Sequence, residues 1–396
     1  MLSSAHEIAR APELAPAPLF IPSLPTLDPT LLAPSLLPAR PARWPLDRLE
    51  APEVQLFYLA RAGVYHTIKH WLGGRPGTVL MPAYHHGVEV EAVRAAGAHI
   101  VFYGVDRNLT IDLDDLRKKS RAADVRALYV THYAGFAQPI AEARALADER
   151  RLPLFEDCAL SLFSRTPDGT PLGSSGDASC FCLYKTLPVP HGGLLVARRV
   201  PVADVAPPPL FSTLHHVAGL ALAHLELHSS GLGRAVRSAA RAASHATVDK
   251  AVATVKTGTM HLEPHELELG ASKLVERLLP RFDCEMVVVR RRRNFMRLAA
   301  ALEGLVDVVG VPLAPGVCPL FLPVRITDRD KRDVVQALHA RGIDAIDFWS
   351  TGQCDADFPD VAALRREILE LPCHQSLDDD AIDLVAHAVK QVLAHA

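Results

Sequence analysis

Two side chains that could perform chemistry each lie at the end of a short apolar run. Asp157 ends the run in FEDCALSL (155–162), and Lys185 follows the run in CFCLYKTL (180–187). The carboxyl ends of parallel strands form the sheet edge at which ligands bind. A lysine among apolar neighbours is partly desolvated, which favours its amine as a nucleophile towards a carbonyl group. This pattern predicts a carboxylate and a nucleophilic amine at one edge of a sheet.

Both residues also have an ordinary structural interpretation. A buried aspartate at a strand end can simply cap the helix that follows, and Lys185 can be a surface lysine in a loop. Gly192-Gly193, before the next apolar run, provides a close approach or a positive φ angle, as in many loops.

Two further segments could complete a binding site. MPAYHH (81–86) ends another apolar run, so Tyr84 or His86 could lay a flat ring on a planar ligand. ARAGVYHTIKHW (60–71) predicts a helix entered at Gly63, whose first free amides and positive dipole end could hold a phosphate.

Short apolar runs alternate with helical patterns between about residues 53 and 200, as in βα units that build a parallel sheet. The clearest helices are 87–96 and 140–150. The predicted strands are Thr78–Met81, Ile100–Val105, Ala127–Thr131, Pro153–Glu156, Ser179–Leu183 and Leu194–Ala197.

Composition limits the class of protein. The chain has 396 residues, 49% of them hydrophobic, and a formal charge of −3, so no overall field attracts nucleic acid or anionic lipid. Seven cysteines without a CxxC pair argue against a disulfide framework or a structural zinc site, and no metal is predicted. No apolar stretch reaches the roughly 20 residues of a spanning helix. We expect a cytoplasmic protein with a small-molecule partner and no membrane or nucleic-acid contact.

Three regions flank this core. Residues 11–45 hold ten of the 31 prolines together with many leucines, which predicts an arm that packs on the body. Residues 202–266 have helical periodicity and suit an inter-subunit or inter-domain helix pair better than a membrane-surface helix. From 274 a long helix is predicted, broken or kinked at Pro280. Its basic run, Arg290–Arg293, suits a solvated face better than a polyanion contact.

A second α/β unit follows residue 303. LVDVVGVPL (305–313), CPLFLPVRI (318–326) and IDAIDFW (343–349) are predicted strands, and helices are predicted over 329–341 and 378–393. We divide the chain into an arm (1–50), a large domain (51–265) and a small C-terminal domain with a connecting helix (266–396).

Several linked phrases resemble the DegT/StrS-type sugar aminotransferases, which are pyridoxal-phosphate enzymes of fold type I. The matching phrases are PAYHH (82–86), GAHIVFYGVD (97–106), THYAG (131–135), FEDCAL (155–160), GSSGDASCFCLYKTLPVPHGG (173–193) and REILELPCHQSL (366–377). The resemblance covers most of the chain. It implies an α/β fold of the pyridoxal-phosphate transferase type, with a large, mainly parallel seven-stranded sheet and a smaller C-terminal α/β domain.

The same resemblance assigns site residues. It makes Lys185 the lysine that binds the cofactor carbonyl and Asp157 the partner of the pyridine nitrogen. It places His86 on the ring-stacking aromatic. Its phosphate-binding residues are Gly63, with the backbone amides of Val64 and Tyr65, and Cys182 in place of a serine.

The chain also departs from the family pattern. Ala62 and Val64 replace the hydroxyl residues of the SGT turn, and Leu160 stands where Gln or His is usual. HELELG (265–270) stands in place of the GYNYR loop, which in the family reaches a neighbouring subunit's site with an asparagine.

We therefore predict a homodimeric, pyridoxal-phosphate-dependent aminotransferase. It would move an amino group, with glutamate as the expected donor, to a keto sugar that can be nucleotide-linked, or to another keto compound. Two alternatives stay open: a pyridoxal-phosphate enzyme of another reaction type, such as elimination, and a binding protein that keeps the fold without the cofactor.

Overall fold

The protein is built around two β-sheets of different size. The computed structural model describes residues 20–33, 41–229, 231, 261–347, 349–350 and 358–394. The larger sheet has seven strands and the smaller has three. The strands are β1 Val54–Phe57, β2 Thr78–Pro82, β3 His99–Tyr103, β4 Val125–Thr131, β5 Leu154–Asp157, β6 Ala178–Cys182, β7 Gly193–Ala197, β8 Asp307–Val308, β9 Phe321–Arg325 and β10 Ile368–Pro372.

The strand order of the large sheet is β1-β7-β6-β5-β4-β2-β3. Strands β2 to β6 run parallel to one another, whereas β7 is antiparallel to β6 and β1 is antiparallel to β7. Strands β2, β5, β6 and β7 are buried along their whole length, because helices cover both faces of the sheet. The predicted sheet type is confirmed.

Helices connect these strands and surround both sheets. They are α1 Ala60–Leu72, α2 Val88–Ala95, α3 Leu113–Lys119, α4 Ile140–Arg150, α5 Leu183–Thr186, α6 Leu210–His228, α7 Lys273–Leu278, α8 Cys284–Ala301, α9 Lys331–His339, α10 Pro359–Glu367 and α11 Asp379–Ala394.

The predicted strands of the large sheet agree with the structure within two residues at each end, and α4 has the predicted bounds. The sequence analysis missed β1, which is only four residues long and half-buried except at Phe57. Its pairing partner β7 is distant in the chain, so local pattern alone could not identify it.

The small sheet differs from its prediction in three respects. Of the predicted strand 305–313 only β8, Asp307–Val308, forms a strand. The described residues of 343–349, which leave out residue 348, form no strand and contribute isolated bridges through Ile343 and Ile346. Their place beside β9 is taken by β10, which comes from the phrase REILELP and pairs antiparallel with β9. The C-terminal helix α11 matches its prediction within one residue and packs on α8.

The N-terminal arm packs on the body in its described part, residues 20–33. Ile21 is fully buried and forms a parallel bridge with Ile343, and its amide donates to Gly342 O at 2.7 Å. Leu31 and Leu32 pack against a core cluster of the large sheet. The predicted packing is confirmed there, while residues 1–19 and 34–40 lie outside the described residues.

The predicted break at Pro280 is confirmed, because α7 ends at Leu278 and α8 begins at Cys284. The solvated-face interpretation of Arg290–Arg293 is wrong for Arg291, which is fully buried. One turn of an amphipathic helix necessarily directs part of a basic run inward.

Helix α6 occupies the start of the segment 202–266, and residues 230 and 232–260 lie outside the described part of the chain. Its Ser212, Thr213 and Glu226 are buried, whereas Leu210, Phe211 and Leu214 are exposed. None of the described helices combines the length and apolar character that crossing a lipid bilayer requires.

Candidate active site

A cavity lies where strands β2 and β6 end and helix α1 begins. Its described lining residues are Ala60, Arg61, Val64, His86, Val88, Glu89, Ala159, Leu160, Cys180, Cys182, Lys185 and Trp349. Four of the seven predicted site residues are among them: Val64, His86, Cys182 and Lys185. Larger clefts occur elsewhere on the described surface, but the predicted chemical groups converge here.

The Asp157 carboxylate lies directly behind the wall of this cavity. Its Oδ1 accepts a hydrogen bond from the backbone amide of Ala159 at 2.9 Å and lies 3.6 Å from Cys180 Sγ. Its Oδ2 accepts from the hydroxyl of Tyr129 at 2.8 Å. Because Ala159 and Cys180 both line the cavity, Asp157 lies close to the cavity that Lys185 lines.

Burial controls the electrostatics of this carboxylate. Desolvation raises the pKa of Asp157 and the negative charge of Glu89 raises it further, while the hydrogen bonds from Ala159 and Tyr129 and the charge of Lys185 oppose the shift. A positively charged ligand group beside Asp157 would stabilise its ionised form. Its bond to the Ala159 amide is of the local, capping type, whereas its bond to Tyr129 joins it to the neighbouring strand.

Lys185 lies in the four-residue helix α5, directly after β6. The backbone around it is held by side chains of α8 and of the segment that follows β10. The buried guanidinium of Arg291 donates from Nη2 to Thr186 O at 3.2 Å and to Lys185 O at 3.4 Å. Gln375 Nε2 donates to the same Thr186 oxygen at 2.8 Å. Lys185 is half-buried and lies in a short helix at the cavity wall, not in a loop.

The glycine pair after Lys185 has the two properties predicted for it. Gly192 has a φ of 142°, in the region that side chains other than glycine rarely adopt. A Cβ on Gly193 would lie 2.3 Å from the amide nitrogen of Ala60. Strand β7 can therefore approach the first residue of α1 closely, which brings the start of this helix to the cavity.

His86 lines the cavity with an uncharged ring. Burial, followed by the positive charges of Lys185 and Arg61, lowers the pKa of His86 to about 3. Its backbone amide donates to Glu89 Oε1 at 2.8 Å, and Gly87 N donates to Glu89 Oε2 at 3.1 Å. Glu89 thus fixes the turn that carries this ring.

The predicted start of α1 at Gly63 is wrong by three residues, because the helix begins at Ala60. The amides without helical partners are those of its first turn, before Gly63. Gly63 and Tyr65 do not line the cavity, and the Tyr65 hydroxyl instead accepts from Lys69 Nζ at 2.8 Å. Val64 lines the cavity with its side chain, but its amide lies in the helical ladder.

Cys182 and Leu160 both line the cavity, at positions where the family usually has polar side chains. Burial raises the pKa of the Cys182 thiol, and the positive charges of Lys185 and Arg61 partly offset this effect. Cys182 is therefore a neutral, weak hydrogen-bond donor in this wall.

Sequence reasoning missed four residues of the site: Arg61, Glu89, Tyr129 and Trp349. Tyr129 and Trp349 belong to apolar runs and gave no separate signal. Arg61 and Glu89, in contrast, are charged residues in the first turns of helices that begin at a sheet edge, which is a usable sequence signal.

Arg365, in helix α10, connects this helix by hydrogen bonds to the segment that follows β2. Its Nη1 donates to Trp349 O at 2.7 Å and to His85 O at 3.0 Å, and its Nη2 donates to Ala83 O at 3.0 Å. The Trp349 ring contacts Tyr84 with centroids 4.8 Å apart. These contacts fix the aromatic wall next to His86.

A buried group behind β5 resembles a metal site but is saturated by hydrogen bonds. The potential ligand atoms of His132, Glu156 and Cys158 lie within 4.8 Å of one another. Glu156 accepts from the amide of Gly173 at 2.9 Å and from that of Gly176, and His132 Nδ1 accepts from Gln138 N at 3.1 Å. We assign this group a structural role.

Comparison with known proteins supports the class that the geometry suggests. Residues 68–206 match the model of the DegT/DnrJ/EryC1/StrS aminotransferase family. The chain is 26% identical over 350 residues to the dTDP-4-dehydro-2,3,6-trideoxy-D-glucose 4-aminotransferase of Saccharopolyspora spinosa, covering 84% of this chain and 83% of that protein. It is 29% identical over 129 residues to the GDP-perosamine synthase of Vibrio cholerae, covering 32% of this chain and only 35% of that protein.

The aminotransferase TlmJ from Streptoalloteichus hindustanus has the same fold, with a TM-score of 0.65 and 22% identity over 95% of this chain and 99% of TlmJ. The resemblance that the motifs predict is confirmed over residues 68–206, which match the model of this aminotransferase family. The predicted fold type and, at the level of the family, the predicted aminotransferase class are confirmed as well.

Proposed function

We propose that this protein is a pyridoxal-phosphate-dependent aminotransferase that transfers an amino group from glutamate to a keto sugar, with a nucleotide-linked sugar as the expected form. The observation that carries the proposal is the convergence of Lys185 and Asp157 on one cavity. A sugar acceptor is supported by the relatives whose names specify perosamine synthesis and amination of a dTDP-linked dehydro sugar.

The residues of the cavity suit this cofactor chemically. An amine, a buried carboxylate and an uncharged ring surround one space, and the first turn of α1 opens into it. The raised pKa of Asp157 has burial as its main cause, and the protonated ring nitrogen of pyridoxal phosphate would supply the missing positive partner. The cavity thus offers Lys185 for the carbonyl, Asp157 for the ring nitrogen and the start of α1 for the phosphate of the cofactor.

When bound, pyridoxal phosphate supplies a ring that accepts electrons from the substrate carbon. Asp157, oriented by Tyr129 and the Ala159 amide, would hold a proton at the ring nitrogen. Lys185 would bind the cofactor carbonyl through Nζ and, once displaced by the amino donor, move the proton at the substrate carbon. His86 would pack against the ring face, and its low pKa keeps it from adding a positive charge there.

The proposal includes a homodimer. Exposed apolar side chains cluster between residues 202 and 214, with Leu210 72% and Val202 67% exposed. Several exposed apolar side chains close together in sequence suit a contact surface, which supports association of two copies. Analytical ultracentrifugation of the purified protein tests this part. A cytoplasmic location and small-molecule partners alone complete the proposal.

Isotopically labelled glutamate tests the reaction directly. Incubation with nucleotide-linked keto sugars should give an aminated sugar that carries the label, and Lys185→Ala should abolish both transfer and the visible absorption of lysine-bound cofactor. Asp157→Asn should lower kcat/KM by about 100-fold, which corresponds to the loss of one charge-assisted hydrogen bond. Lys390→Ala, an exposed lysine of α11, is the matched control and should leave both readouts unchanged.

The possible failures of this experiment are informative. Bound cofactor without label transfer to any keto sugar would favour another pyridoxal-phosphate reaction, such as elimination. A wild-type protein that stays colourless with added pyridoxal phosphate would refute every version of the enzyme proposal and leave a binding protein.

A further inference from the structure

The cavity has an unusual set of polar groups for a site that would hold a phosphate. Among its described lining residues there is no serine, threonine or tyrosine. Ala60 and Val64 of α1 and the neutral thiol of Cys182 line the same cavity. A doubly charged phosphate held by backbone amides alone would be poorly neutralised in such a wall.

One positive side chain of the wall has no role in the reaction described above. Arg61 is the second residue of α1, lines the cavity and is 7% exposed. Its charge acts on both His86 and Cys182, which places it electrostatically inside the site. Lys185 is the other described cation of the wall, and the cofactor carbonyl would occupy it.

Two contacts outside the cavity hold the guanidinium in place. Arg61 Nη1 donates to His261 O at 2.9 Å and lies 3.3 Å from Glu266 Oε2. The Glu266 side chain is itself buried, and it belongs to HELELG (265–270), the segment that replaces the loop expected from the family pattern. One carboxylate balances one guanidinium, so this pair has no net charge, and both of these contacts are made by Nη1.

We propose that Arg61 binds the phosphate of the cofactor, together with the free amides at the start of α1, and thereby replaces the hydroxyl side chains that this site lacks. The inference rests on the proposed function, because it assigns one residue to the phosphate end of the same cofactor. A planar guanidinium can donate two parallel hydrogen bonds to a phosphate, and the helix dipole adds attraction at the same point. Glu266 then acts as a positioning residue that fixes the guanidinium at the cavity wall.

A comparison of two ligands isolates the phosphate contact. Pyridoxal phosphate and pyridoxal differ only in the phosphate group, so a residue that binds this group should matter for the first ligand alone. Apoprotein of wild type, Arg61→Gln and Arg61→Lys is titrated with each compound, and binding is followed by visible absorption and by borohydride trapping at Lys185. The melting temperature of each apoprotein with and without inorganic phosphate gives a readout that does not involve Lys185.

For Arg61→Gln we expect pyridoxal phosphate to bind about 10- to 100-fold more weakly, as for the loss of one charge-assisted contact, while pyridoxal affinity changes little. Stabilisation by inorganic phosphate should disappear as well. Arg61→Lys keeps the positive charge but loses the planar pair of N–H donors. Its affinity for pyridoxal phosphate should therefore lie between those of wild type and Arg61→Gln. Glu266→Gln keeps the guanidinium and removes its negative partner, so its affinity for pyridoxal phosphate should be retained or increased.

Two results would overturn this assignment while the proposed function stands. One is equal weakening of both ligands in Arg61→Gln, which would show that the ion pair only supports the fold. The other is unchanged affinity for pyridoxal phosphate in that variant while wild type binds it at Lys185. A wild-type protein that binds neither ligand would instead refute the proposed function and the assignment together.

Discussion

The contact between Arg291 and the turn that carries Lys185 gives a quantitative prediction. Arg291 is fully buried in α8, and its guanidinium donates to two backbone oxygens on each of two segments and to the side chain of Gln375. Replacement by methionine keeps the length of the side chain and removes every donor. The backbone oxygens of Lys185, Thr186, Pro319 and Leu320 would lose this partner.

The expected loss of stability follows from these contacts. A buried acceptor left without a partner costs about 1–3 kcal/mol. Burial lowers the pKa of Arg291, so removing the charge also recovers part of its desolvation cost. Because Gln375 Nε2 still donates to Thr186 O and Cys373 Sγ still donates weakly to Leu320 O, part of the loss is offset, and we expect a net loss of about 3–4 kcal/mol.

Urea unfolding of the apoprotein measures this difference. Arg293→Met is the matched control, because Arg293 belongs to the same basic run but is 55% exposed and pairs with Asp379 at the surface. It should cost at most about 1 kcal/mol. Arg291→Met should also reduce cofactor loading at Lys185, whereas Arg293→Met should not. Equal losses of stability in the two variants would refute the reasoning.

Two further predictions concern pH and backbone packing. Burial lowers the pKa of His191 to about 3, so the unfolded chain binds more protons below pH 6.5 and stability falls on acidification. His191→Asn should remove about 2 kcal/mol of the loss between pH 7 and pH 5, measured by urea unfolding at each pH; an unchanged pH profile would contradict it. Gly193→Ala should cost about 3 kcal/mol, since its Cβ would lie 2.3 Å from Ala60 N. Gly219→Ala, with open space around it, should be neutral or stabilising by up to about 1 kcal/mol; similar melting temperatures for both would contradict the packing argument.

The large sheet was predictable because its inner strands are continuous apolar runs separated by clear helical patterns. Strand β1 escaped prediction since four half-buried residues carry almost no periodic signal, and its pairing with β7 is a tertiary fact. The small-sheet region shows the opposite error. Segment 343–349 is as apolar as a strand, but β10 occupies the place beside β9. Competition between two suitable segments cannot be decided from either one alone.

The predicted site residues are brought close together, but their roles stay predictions. His86, Cys182 and Lys185 line one cavity and Asp157 lies behind its wall, because each lies at or after the end of a strand that the pattern identifies. The phosphate-binding turn was misplaced at Gly63 because a glycine suggests a helix start, whereas the helix begins at Ala60 after an extended Leu59. Arg61 was overlooked for the same reason.

The hydrogen bonds of Arg365 have a consequence for protein engineering. A chimaera that takes its C-terminal third from one relative and its remainder from another would have to rebuild the junction between α10 and the backbone carbonyls of Ala83 and His85. Every residue has a backbone carbonyl, so a parent that supplies the arginine also supplies the hydrogen-bond donor. Only the backbone conformation around Ala83 and His85 in the other parent must then match. Recombination libraries for altered acceptor specificity should therefore keep residues 82–89 and 359–372 from the same parent.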